Sequence, residues 1–139
     1  MMACRMRLAN MNGATQLRLE LLHEALRLSQ DLLQDRPDDP SARKHTALVQ
    51  KSIGELWQGA QSFNDGDQAY RESIEIWESL LQEFPDNAAY KEECGLTTRQ
   101  RARLLERHRR YAEAEKEYRK VIEASGCAER RRAGKPELS

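Results

Sequence analysis

Apolar residues recur at spacings of three and four along most of this chain, which is the pattern of amphipathic helices. The first segment shows it most clearly, because apolar residues between Leu17 and Leu33 form one stripe. No segment alternates apolar and polar residues as a half-buried strand would. The pattern therefore predicts an all-α protein. The first of its five helices is expected to start after Asn12-Gly13 and to end before Arg36-Pro37. The others are expected at about 41–63, 68–83, 88–107 and 111–124.

Proline and turn residues predict where these helices begin and end. Pro37 ends the first helix, because the residue before a proline disfavours the α region. Asn64-Asp65-Gly66-Asp67 is predicted as a turn, and Ser125-Gly126 is predicted to cap the last helix. The chain then divides into an N-terminal segment that is a partial helix or disordered (1–12), a helical array (13–124) and a disordered charged tail (125–139).

Two stretches of the chain repeat one another closely. LLQDRPDDP at 32–40 matches LLQEFPDNA at 80–88, at an offset of 48 residues. The helices before these prolines match as well, and a third copy follows them: HEALRLSQDLL at 23–33, RESIEIWESLL at 71–81 and AEAEKEYRKVI at 112–122. One helical hairpin cannot bury its apolar stripe alone, so repeated hairpins must stack on their neighbours.

The repeated hairpin resembles the tetratricopeptide repeat over about residues 15–124. SIGELW at 52–57 is similar to the middle of the first helix of that motif, and YAEAEKEY at 111–118 matches its second helix most closely. DQAYRESIEIW at 67–77 is also similar to the second helix. The resemblance implies antiparallel helical hairpins stacked as a short superhelix with a concave groove.

The repeats are longer than those of the usual motif. They are offset by 48 and 41 residues, whereas the usual repeat has about 34. Such long repeats resemble arrays in large bacterial multidomain proteins, some of which carry serine/threonine kinase domains, although no kinase motif occurs in this chain. Arg101 also stands where the motif has an apolar residue.

The two tryptophans are the largest side chains of the predicted core. Burying about 200 Å² of an indole at about 25 cal/mol/Å² gives an upper bound of about 5 kcal/mol for each ring. Net domain stability is only about 5–15 kcal/mol, so each ring should be indispensable. The predicted core residues are Leu28, Ile53, Gly54, Trp57, Trp77, Leu80, Leu105, Ala114 and Tyr118.

The resemblance also implies which side chains line the groove, because the first helix of each hairpin faces it in this family. Arg99, Arg103 and Arg107 recur every four residues and share one face of the fourth helix. Guanidinium groups grip carboxylates with two hydrogen bonds, so we expect a groove for an acidic peptide or a peptide C-terminus. The alternative is a solvated basic face. The candidate residues are Lys51, Glu55, Gln58, Arg99, Arg103 and Arg107.

The formal net charge is zero, but the charge is unevenly distributed. Residues 1–98 carry 10 Lys and Arg against 16 Asp and Glu, whereas residues 99–135 carry 13 against 6. The basic segment, which includes Arg130-Arg131-Arg132, makes nucleic-acid binding an alternative. Interleaved glutamates dilute the positive field, so nucleic acid is the less favoured partner.

The sequence contains no arrangement of residues that predicts catalysis, a metal site or a cofactor. The three histidines are dispersed, and no phosphate-binding, dinucleotide-binding or nucleophile motif occurs. The three cysteines are far apart, and no apolar run is long enough for a signal peptide or a membrane span. These features are typical of a cytoplasmic protein with reduced thiols.

Together these features favour a non-catalytic protein–protein interaction module that binds a peptide or protein partner. The alternatives are a regulatory or scaffolding fragment of a larger bacterial multidomain signalling protein, or a purely structural piece. The first repeat lacks a convincing first helix, and no polar capping helix is predicted after residue 124. Self-association through uncapped array ends is therefore a further expectation.

Overall fold

The computed structural model describes residues 13–138, and it describes side chains for residues 13–124. No strand occurs in this part of the chain, so the prediction of an all-α protein is confirmed. The predicted partial helix or disorder at residues 1–12 lies outside the described residues. The helices are α1 (Gly13–Asp35), α2 (Pro40–Gly59), α3 (Phe63–Glu83), α4 (Ala88–Arg107) and α5 (Tyr111–Leu138).

The helices form antiparallel hairpins that stack in chain order. Connections of three or four residues join successive helices, and such short connections make neighbouring helices antiparallel. Each helix packs chiefly against the helices that precede and follow it in the sequence. The array is therefore built from nearest-neighbour contacts, as in repeat proteins.

The two repeated proline motifs fold into the same turn. Asp39 before α2 and Asn87 before α4 have nearly the same backbone angles, φ −73°, ψ 112° and φ −71°, ψ 106°. The Asp39 carboxylate accepts a hydrogen bond from the Ser41 amide at 2.9 Å, and the Asn87 side-chain oxygen accepts one from the Tyr90 amide at 3.0 Å. Each side chain caps a helix N-terminus. The sequence repeat is thus a structural repeat.

The other two turns contain neither glycine nor proline at their left-handed residue. Gln61 after α2 has φ 60°, and Arg109 after α4 has φ 61°. In both turns a later amide reaches back over the helix end: the Ser62 amide donates to the Trp57 carbonyl at 3.0 Å, and the Arg110 amide to the Leu105 carbonyl at 2.9 Å. This is the Schellman arrangement. In the second of these turns, this arrangement ends α4 before His108-Arg109-Arg110, where the sequence has neither glycine nor proline.

The predicted turn at residues 64–67 is wrong, because these residues form the first turn of α3. The Ser62 hydroxyl donates to the Asp65 carboxylate at 2.6 Å, directly before the helix and within its first turn. Negative charge is favourable at a helix N-terminus, so polar residues that are typical of a turn also suit the start of a helix.

The last helix differs from its prediction as well. Its backbone continues through Ser125-Gly126 to Leu138, where a disordered tail was expected. A single glycine costs a helix only about 1 kcal/mol, and most of the residues between Gly126 and Gly134 are alanine, glutamate and arginine, which favour helix.

Most of the predicted core residues are buried. Trp57 and Trp77 lie in two apolar clusters: the first joins α1, α2 and α3, and the second joins α2 and α3 and contacts α4. Leu28 was wrongly assigned to the core, because its side chain faces away from α2 and is 59% exposed. Tyr118 is only partly buried. The other predicted core residues are all buried: Ile53, Gly54, Leu80, Leu105 and Ala114.

Candidate functional site

The basic ridge of α4, which we define as Arg99, Arg103 and Arg107, is exposed along its whole length. The opposite side of α4 is buried and consists of Ala102, Leu104 and Leu105. At about 100° per residue, the ridge points away from those buried positions. The predicted common face of the three arginines is therefore present on the surface.

The predicted residues of α2 lie beside α4 and are engaged with it. Lys51 Nζ is 3.5 Å from Glu93 Oε2, and the Lys51 side chain is only 15% exposed. Gln100 Nε2 donates to Glu55 Oε1 at 3.3 Å. These contacts show that α2 and α4 share one polar face. The Lys51 ammonium is already neutralised by a carboxylate, so it does not add a free cation to this face.

The hydroxyl of Tyr70 on α3 lies at the polar face shared by α2 and α4, a position that the sequence did not predict. Its hydroxyl donates to Gln58 Oε1 at 2.7 Å. Burial, followed by the negative charge of Glu55, raises the pKa of this phenol, while the positive charge of Arg107 lowers it. Glu55 on α2 and Arg107 on α4 therefore both lie near the Tyr70 hydroxyl.

Gly54 makes this position of Tyr70 possible. A Cβ atom at residue 54 would lie 2.7 Å from two carbon atoms of the Tyr70 ring, closer than packed carbon atoms approach. The ring therefore crosses α2 over the bare backbone of Gly54. The motif suggested that Gly54 permits close helix packing, but nothing in the sequence identified Tyr70 as the side chain that uses the space.

Arg101 adds no exposed charge to the basic ridge, because it lies inside the array. Its Nε donates to Asp67 Oδ1 at 2.8 Å, and its Nη1 is 3.3 Å from Glu117 Oε1. All three side chains are largely buried. A buried arginine is stable only when it is paired. This ion-pair cluster joins α3, α4 and α5, and it explains how a charged residue replaces the expected apolar one.

An apolar cleft of about 380 Å³ lies between α1 and α2, next to the polar face. Three of its six lining residues are leucines, and Glu55 belongs both to the cleft and to the contact with α4. The cleft therefore continues the shared polar face towards α1. Its lining residues are Arg18, Leu21, Leu22, Ser52, Glu55 and Leu56.

A second, smaller cleft of about 210 Å³ lies between α3, α4 and α5. Cys94 lines it, and burial together with the negative charge of Glu78 raises the pKa of this thiol to about 11. A thiol with so high a pKa is almost fully protonated at neutral pH and is a poor nucleophile. Cys94 therefore behaves as a small packing residue.

Metal sites and membrane spans need particular groupings of side chains, and the described side chains provide neither. Nowhere among them do three His, Cys, Asp or Glu residues come together as ligands of a metal ion. Among the described residues, no helix has both the length and the apolarity needed to cross a bilayer. His108, directly after α4, stacks on Phe63 with ring centroids 4.7 Å apart, and Arg110 covers the same ring at 4.3 Å.

No family model, curated protein or solved structure matches this chain.

Proposed function

We propose that the chain is a non-catalytic interaction module of tetratricopeptide type, and that it binds a peptide or protein on the face shared by α2 and α4. The observation that carries this proposal is the basic ridge of α4, whose three arginines are exposed beside the polar contacts between the two helices. The repeated capped turns before α2 and α4 support a repeat array.

The ridge favours an acidic partner. An arginine side chain presents a planar fork that binds a carboxylate through two parallel hydrogen bonds. Lys51 is paired with Glu93, so most of the positive charge offered to a partner comes from α4. The apolar cleft beside Glu55 would accept an apolar side chain from the same peptide. An acidic segment that contains a leucine or similar residue fits both features.

Charge reversal on the ridge tests the proposal. We expect the intact chain to bind a fluorescein-labelled, glutamate-rich peptide more tightly than a lysine-rich peptide of equal length, as measured by anisotropy. Arg99→Glu/Arg103→Glu should weaken this binding about 10-fold or more, because it replaces two attractive contacts with repulsive ones. The matched control is Arg36→Glu/Lys116→Glu, which reverses two exposed charges at the α1–α2 turn and on α5.

Two results would overturn the proposal. One is equal binding of the acidic and basic peptides by the intact chain. The other is unchanged binding by Arg99→Glu/Arg103→Glu, or an equal loss in the control. A random duplex oligonucleotide serves as a third probe, and tighter binding with a steep salt dependence would replace the peptide partner with nucleic acid.

A further inference from the structure

Helix α1 has two apolar faces, of which the hairpin uses only one. Leu19, Leu22 and Leu26 pack into the apolar cluster with α2. The other face, which we call the outer leucine stripe, spans about 60° of the helix circumference at about 100° per residue. It consists of Leu17, Leu21, Leu28 and Leu32, which are 56%, 61%, 59% and 45% exposed.

We propose that the outer leucine stripe is a self-association surface, on which α1 of one molecule pairs antiparallel with α1 of a second copy. Exposed apolar residues that occur singly are normal. Four leucines in one row along a helix are different, because contiguous exposed apolar surface marks an interaction site. The peptide-binding proposal rests on the basic ridge of α4, whereas this one rests on α1. The two share only Leu21, which also lines the apolar cleft between α1 and α2.

The spacing of the stripe fits an antiparallel pair. Its four leucines are separated by 4, 7 and 4 residues, a pattern that reads the same in both directions. A twofold axis between residues 24 and 25 would place Leu17 opposite Leu32 of the second copy, and Leu21 opposite Leu28 of the second copy. A twofold interface must be self-complementary in this way. All four leucines would then be covered by leucines.

An antiparallel pair brings the same charged flank of both helices together. Glu20, Glu24, Arg27 and Asp31 are exposed along one flank, and Glu24 pairs with Arg27 of its own helix. The antiparallel pair places Arg27 about 3 Å along the axis from the level of Glu20 of the second copy. Glu24 of the second copy is equally far from Arg27 along the axis, so each Arg27 lies between two carboxylates of the other molecule. This offsets the close approach of the two Glu24 carboxylates at the twofold axis.

The length of the stripe matches helix α1 itself. Leu17 and Leu32 are 15 residues apart, or about 23 Å along the helix. Helix α1 of a second copy has the required length and apolar face.

The oligomeric state of the intact chain is the first test. An interface made by a single helix pair is small, so we expect a reversible dimer with a Kd on the order of 10 μM, seen by sedimentation equilibrium over a range of concentrations. Leu17→Glu/Leu28→Glu should weaken the dimer about 100-fold or more. Because both leucines are exposed, circular dichroism should show unchanged helix content.

The control is Ile122→Glu on α5, which places the same charge at an isoleucine that is 69% exposed at the other end of the array. This variant should dimerise like the wild type. The inference is overturned if the wild type is a monomer at all concentrations, or if Ile122→Glu abolishes the dimer while Leu17→Glu/Leu28→Glu does not.

Cysteine cross-linking tests the direction of the pair. In a Cys4→Ser/Cys94→Ala/Cys127→Ser background, Glu24→Cys lies next to the twofold axis and should form a disulfide between copies on mild oxidation. Leu17→Cys should not, because its equivalents would be about 23 Å apart along the axis. Equal cross-linking at both positions would indicate a parallel pair and overturn the inference.

Discussion

Helices α1 and α3 carry the same repeated sequence but bury it differently. Leu32 and Leu80 occupy the same position of the motif, 48 residues apart, yet Leu32 is 45% exposed and Leu80 is 0% exposed. Helix α3 lies between α2 and α4, whereas α1 packs chiefly against α2 within the described part of the chain. The comparison shows that a repeat motif specifies an apolar helix, but the number of neighbouring helices decides how much of it is buried.

One further pair of equivalent positions sharpens this contrast. Ser29 in α1 corresponds to Trp77 in α3, and both are buried, at 4% and 0% exposure. The Ser29 hydroxyl and the Trp77 indole N–H each lack a hydrogen-bond partner among the described residues. At one end of the array, then, the shared position carries a small polar side chain, and in the middle it carries the largest apolar one.

The largest effect is expected for Trp77→Ala. Removing a fully buried indole should destabilise the fold by about 3–5 kcal/mol, through lost apolar burial and the cavity that remains. Ser29→Ala at the equivalent position should instead stabilise it by about 1 kcal/mol, because it removes a buried hydroxyl without a partner. Urea unfolding followed by circular dichroism measures both, and destabilisation of equal size would refute the contrast between α1 and α3.

A second comparison uses the repeated leucines themselves. Leu80→Ala should destabilise the fold by about 2–5 kcal/mol, as expected for a buried leucine. Leu32→Ala should cost less than about 1 kcal/mol, because almost half of its side chain already faces solvent. The same unfolding experiment, performed below the dimerisation range, reports the difference. Equal losses would mean that another part of the chain covers Leu32.

The smallest expected effect concerns the glycines of α2 and α4. Gly54→Ala should destabilise the fold by about 1–3 kcal/mol, because the new methyl group would collide with the Tyr70 ring. Gly95→Ala is the matched control, since nothing lies within 4 Å of its added carbon. It should stabilise α4 by about 0.5–1 kcal/mol. A tolerated Gly54→Ala would show that the Tyr70 ring can move away from α2.

The candidate site could be predicted only in part. The common face of Arg99 and Arg103 follows from helical spacing, so it could be read from the sequence. The pairing of Lys51 with Glu93 could not be read from the sequence, because 42 residues separate them and only the tertiary structure places α2 beside α4. The hydroxyl of Tyr70 was missed for the same reason.

The sequence by itself determined that this protein is a series of amphipathic helices with repeated capped turns. Periodic apolar residues and local side-chain caps depend only on near neighbours in the chain, so both can be recognised from the sequence. Only the tertiary structure decided that Arg101 is enclosed by carboxylates and that Leu28 remains outside the core. Burial and pairing depend on which helices lie on either side, and short-range patterns do not contain that information.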